Sequence, residues 1–183
     1  MSTKSVSAHT IKVNRAPVLT LWAAVVAECL GFDRQEALTL GRAVAGLNAY
    51  SKGVSLGLFT PTPKEIKEKR KKLRPKEAIT VDLLQRAVPA IQTPDGLRAL
   101  AKEKPIDPAS VDRYLLGKFG DVYKEAHDAM LELARSIQIA DLADRAYGLY
   151  EQFRPAVPRG VKGWGAAGLL NLDMIRALGK HRA

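Results

Sequence analysis

One cysteine, Cys29, in 183 residues leaves no internal disulfide framework and fits a reducing compartment. Its place beside Leu30 in an apolar segment points to an inert, partly buried thiol rather than a nucleophile. Long hydrophobic runs are also missing. The longest, residues 18–30, is interrupted by Thr20 and Glu28 and is too short to span a bilayer. Residues 1–15 have no h-region of a signal peptide. The expectation is therefore a cytoplasmic chain with no membrane partner. Catalytic signatures are equally scarce. His9, His127 and His181 have no metal-ligand spacing, and Gly41 and Gly46 lack the Lys-Ser or Lys-Thr of a phosphate-cradling loop. No nucleophile elbow or Ser/His/Asp order stands out, and there is no internal repeat. No catalytic residue, metal or cofactor is expected.

What the chain does have is apolar content and uneven charge. At 46% apolar residues it belongs with globular proteins, long enough for one domain or two small lobes. The net charge is +10, and most of it is concentrated at one end. Residues 1–77 hold 14 Lys and Arg against 6 Asp and Glu, whereas residues 78–183 hold 15 against 13. A half-chain this basic attracts polyanions and releases counterions on binding them. Acidic membrane surfaces and acidic proteins satisfy the same field.

The punctuation of the chain predicts a mainly α fold: helical bundle-like lobes with one small β-hairpin. Residues 1–16 read as a flexible tail. Pro17 opens a helix to Leu30 with Val18, Leu21, Trp22, Val25 and Val26 on a broad apolar face. Gly31 ends it, and Asp33 caps a second helix over residues 33–50. In that helix Ala37, Gly41 and Ala45 fall four apart. Glycine there costs up to about 1 kcal/mol against alanine, which close helix packing would offset. Residues 51–63 read as a loop, and Thr62, Pro63 and Glu65 start a lysine-rich helix closed by Pro75. A short helix is expected at residues 81–87, then a hairpin of residues 88–92 and 97–101 around Thr93-Pro94-Asp95-Gly96, with Pro89 on an edge or at the strand start. Further helices follow from Asp107-Pro108, from Asp121 to residue 138, over residues 139–153 and over residues 171–178. The organisation expected is a tail (1–16), a helical lobe (17–60), a basic helix or linker (61–77) and a second helical lobe (78–183), which can also pack as a single domain.

Residues 23–42 resemble the helix-turn-helix of DNA-binding proteins: Val26, Ala27 and Leu30 on the first helix, the Gly31 turn, then Ala37 and Leu40 inward on the second. The resemblance implies that Arg34, Gln35, Thr39 and Arg42 project from the second helix toward bases and phosphates. Leu38 then falls on the exposed face, which departs from the pattern. Lys64, Lys67, Lys69, Arg70, Lys71, Lys72 and Arg74 are expected to contact phosphates, positioning without specifying sequence. Arg98, on a wing-like hairpin, is expected to reach another phosphate. The acidic residues Asp121, Glu125, Asp128 and Glu132 form one helical stripe, which reads as a solvated face. The functional expectation is a non-enzymatic DNA-binding protein, regulatory or nucleoid-associated, with nucleic acid and a second copy of the chain as partners. Two other classes remain open: an interaction module whose basic helix docks an acidic partner, and an enzyme with a site between lobes.

Overall fold

The computed structural model describes residues 10–55, 65, 77–156 and 167–180. At its centre is α1 (Arg15–Cys29), in which every residue from 18 to 27 is at most 1% exposed. No charged residue occurs between Arg15 and Glu28, and a helix that is apolar all round must be covered all round. Its cover comes from α2 (Arg34–Ser55), α3 (Pro108–Phe119), α4 (Tyr123–Arg135) and α5 (Ile139–Phe153). Trp22 anchors the α5 side. Its Nε1 donates to the Ala146 carbonyl at 2.8 Å, and its ring meets Phe153 edge-on at 5.3 Å.

The α1–α2 turn folds as its sequence indicates. Gly31 has φ of +113°, its N–H reaches the Glu28 carbonyl, and the Phe32 N–H reaches that of Ala27, both at 3.1 Å. These paired bonds are a Schellman cap. Asp33 Oδ1 then accepts from the Glu36 N–H at 2.8 Å, while Glu36 Oε1 accepts from the Asp33 N–H at 3.0 Å, closing a capping box. Further along, Gly41 lets the two helices touch backbone to backbone. A Cβ there would run into the Thr20 carbonyl oxygen and lie 2.9 Å from the Ala24 nitrogen.

The β-structure is larger than the single hairpin expected. Strands β2 (Ile79–Leu83), β3 (Arg86–Thr93), β4 (Gly96–Ala101) and β5 (Lys104–Pro105) form an antiparallel meander in that order. The expected hairpin is its β3–β4 pair, with Thr93 opposite Gly96. Where a short helix was expected at residues 81–87, β2 turns into β3 through Leu84 and Gln85, at φ of 48° and 63°. Lys102 and Glu103 repeat this between β4 and β5, at 51° and 64°. Two-residue turns with both φ values positive are the primed type that matches strand twist. Neither contains glycine or asparagine, so local sequence does not announce them. Pro89 lies within β3, one residue before its pairing with β4 begins.

A second small sheet pairs β1 (Thr10–Asn14) antiparallel with β6 (Ala167–Asn171), which leads into α6 (Leu172–Lys180). Residues 10–16, assigned to a flexible tail, are thus strand and helix. Leu40, Leu97, Leu133 and Leu149 belong to one buried cluster. The acidic stripe of Asp121, Glu125, Asp128 and Glu132 faces solvent, opposite buried Ala126, Met130 and Leu133. The cations Lys64, Lys67, Lys69, Arg70, Lys71, Lys72 and Arg74 lie outside the described residues.

Candidate functional site

Helix α2 carries four of the five described residues expected to meet nucleic acid, and they divide sharply. Arg34, Gln35 and Arg42 are exposed, but Thr39 has no exposed surface. Its Oγ1 accepts from the Ala99 N–H at 3.0 Å and donates to the Glu36 carbonyl at 2.9 Å. One turn earlier, Glu36 Oε2 accepts from the Leu97 N–H at 2.8 Å. Helix α2 therefore lends two side-chain acceptors to outward-facing amides of β4, which would otherwise be buried without partners. A hydroxyl committed to the sheet is unavailable to a base, so Thr39 is a fastener between helix and strand. Leu38, expected on the exposed face, is only 3% exposed. Both corrections have one cause. Helix α2 packs against β4 as well as α1, so its buried stripe is wider than a two-helix unit requires.

Arg98 is likewise not a wing residue reaching outward. It is 6% exposed and turned against the start of α2. Its Nη1 donates to the Leu97 carbonyl at 2.9 Å, and its Nη2 to Gln35 Oε1 at 3.1 Å and the Asp95 carbonyl at 3.3 Å. Arg34 reaches the other way. Its Nη2 donates to Asp112 Oδ1 at 3.1 Å and to the Tyr123 hydroxyl at 3.0 Å, and its Nη1 lies 3.5 Å from Glu28 Oε1. Arg42, two turns on, sits 5.1 Å from the Tyr114 ring centre, with Lys118 at 5.9 Å from the same ring.

Sequence reasoning overlooked the group around Arg34. The Tyr123 hydroxyl donates to Asp112 at 2.8 Å; burial together with that bond pushes it up to about 12. Behind it, His127 Nε2 faces Glu28 Oε1 at 3.8 Å across the α1–α4 contact, and both atoms are buried without a hydrogen bond. The Glu28 carboxylate raises His127, as does Asp128 at 3.5 Å from Nδ1, against the opposing effects of burial and Arg34. The available signal was Glu28 itself, the one carboxylate that interrupts the apolar run. Nothing in the spacing points from it to His127, 99 residues on. Cys29 is half-buried, and that burial raises its thiol, as an inert cysteine requires.

Arg34, Gln35 and Arg98 meet at an open cleft of about 870 Å³. Its walls are the first turn of α2, the β3–β4 turn with Thr93 and Asp95, and the start of α3 with Asp107 and Asp112. Leu38, Pro105, Ile106, Pro108 and Ala109 supply the apolar lining. Among the described residues no cluster of three His, Cys, Asp or Glu side chains is placed to hold a metal ion, and no helix is long and apolar enough to cross a membrane. No protein-family model matches the chain, and comparisons with curated proteins and with solved structures return no match.

Proposed function

We propose that this chain is a non-enzymatic nucleic-acid-binding protein that holds the phosphate backbone without reading base sequence, the nucleoid-associated rather than the operator-reading kind. The observation that carries the reading is the concentration of charge: 14 cations against 6 acids in the first 77 residues. Such a field draws in a polyanion and gains affinity from counterion release. The surface of α2 and α3 supports it. Arg42 and Lys118 flank an aromatic ring, Tyr114, and cations beside an aromatic suit a phosphate chain with stacked bases. Base reading by α2 has less support, because Thr39 is buried and Arg34 is engaged by Asp112, Tyr123 and Glu28.

The test is the salt dependence of duplex DNA binding, followed by fluorescence anisotropy. Each lost phosphate contact lowers the slope of log K against log salt by roughly 0.9. Replacing Lys69, Arg70, Lys71 and Lys72 together with alanine should lower it by up to about 3 to 4, and Arg42→Ala by about 1. Selection from a random duplex pool should return no preferred sequence. An unchanged slope in the quadruple variant would remove the lysine run from the interface. Binding confined to an acidic protein would replace this reading with the interaction module.

A further inference from the structure

We propose that the cleft between α2, the β3–β4 turn and the start of α3 binds a small zwitterion of the amino-acid class. Its carboxylate would sit on Arg98 and Gln35, and its ammonium at the lip formed by Asp95 and Asp107. The argument begins at Arg98. A guanidinium this deeply buried is ordinarily set against a carboxylate, because removing a charge from water is expensive unless an opposite charge replaces the lost solvation. Here its partners are the Gln35 amide oxygen and the carbonyls of Leu97 and Asp95. Three N–H groups of the fork therefore go to oxygens without formal charge, out of five that it carries. The side chain nevertheless forms part of the cleft wall. The nearby Glu36 carboxylate is held by the Leu97 N–H rather than by the guanidinium, so an entering carboxylate would be the first that the fork bonds directly, and the planar fork suits its geometry. Gln35 lines the cleft beside it, and with Oε1 held by Arg98 its NH₂ group is the donor it can offer a ligand.

The acidic residues narrow the class. Arg34 is already neutralised by Asp112 and Glu28, so it adds little attraction for an anion. Asp95 and Asp107 line the same cleft, and Asp107 uses only Oδ1 to cap α3, accepting from the Ala109 N–H at 3.1 Å. A phosphate chain would meet these carboxylates and be repelled, whereas a ligand with an ammonium opposite its carboxylate gains from them. Leu38, Pro105, Ile106 and Pro108 offer an apolar floor for a ligand side chain. The cleft shares no lining residue with the Arg42–Tyr114–Lys118 surface, so its fate does not depend on nucleic-acid binding there.

Thermal unfolding of the full chain tests the idea with four additions at equal concentration: a pool of the common amino acids, acetate, methylamine and inorganic phosphate. The pool should raise the midpoint, and the three single-charge-type controls should not. Gln35→Glu places a fixed carboxylate where the amide oxygen now lies, 3.1 Å from Arg98 Nη2. That variant should unfold at a higher temperature than the parent without ligand and bind the pool at least tenfold more weakly. Asp95→Asn should fold normally, since the bonds of Asp95 in the turn run through its backbone N–H and carbonyl, and should weaken binding several-fold. No response to the pool overturns the proposal, as does a response that survives Gln35→Glu, or one that phosphate or acetate reproduces.

Discussion

Thr39→Val separates a structural hydroxyl from a base-reading one. Valine has nearly the same shape and the same branched β-carbon, so the change removes two hydrogen bonds and little else. Thr39 has no exposed surface, and neither has Ala99, whose N–H donates to Thr39 Oγ1 at 3.0 Å. With the hydroxyl gone, that amide is left buried without an acceptor. The Glu36 carbonyl, which accepts from the hydroxyl at 2.9 Å, lies in a helix and has another possible donor along it. The cost is therefore close to one unsatisfied buried amide, about 1–3 kcal/mol. For a domain of this size each kcal/mol moves the thermal midpoint by roughly 2–4 °C, so a loss of about 2–12 °C is expected. Urea denaturation should show a lower midpoint with an unchanged slope. Hydrogen exchange adds a local readout: the Ala99 amide should lose protection beyond that of its neighbours in β4. DNA affinity and its salt dependence should stay at parental values in the folded variant. A Thr39→Val protein of parental stability with weakened or less selective DNA binding would refute the reasoning and return Thr39 to the interface.

Two glycines of α2 should respond to alanine with opposite signs. Gly41→Ala drives a methyl into the backbone of Thr20 and Ala24, and a misfit of about 1–3 kcal/mol outweighs the helix-propensity gain of up to about 1 kcal/mol. Gly46→Ala meets nothing within 4 Å and should keep that gain, so denaturant midpoints should move down for the first and up for the second. His127→Gln tests the α1–α4 contact through pH. The facing Glu28 carboxylate raises the imidazole, with Asp128 adding to it and burial and Arg34 opposing. Stability from the protonated form is then fully present below the unfolded value near 6.5 and is lost as pH rises through the higher folded value. The variant should be less stable than the parent at pH 5.5 and approach it above neutrality; a pH-independent difference would show that the imidazole charge is not involved.

How the chain folds locally was largely legible in the sequence, because local signals have local causes. The charge-free, mostly apolar stretch before Glu28 dictates a covered helix, Gly31 and Asp33 dictate its end and the next beginning, and the four-residue spacing of Ala37, Gly41 and Ala45 dictates close approach. The Pro94-Asp95-Gly96 turn and the Asp107 cap follow the same logic. The strands at β2 and β5 were hidden, since turns of Leu84-Gln85 and Lys102-Glu103 hold positive φ only because strand pairing on either side compels it. The β1–β6 pair joins residues 10 and 171, a contact no local pattern encodes.

The site shows the same boundary more sharply. Composition and order alone established a basic amino-terminal half, since charge counts do not depend on folding, and the proposed polyanion binding rests on it. Which cations remain available was decided by tertiary structure. Arg34, Gln35, Thr39 and Arg42 look alike in sequence as polar side chains on one helix, and Arg98 as a cation on a hairpin. Packing α2 against β4 buried Thr39 and Arg98, bound Arg34 to α3 and α4, and left Arg42 beside Tyr114. A helix pattern fixes which side chains share a face; which face meets water depends on what else the chain brings there, and here that was a strand more than 50 residues away.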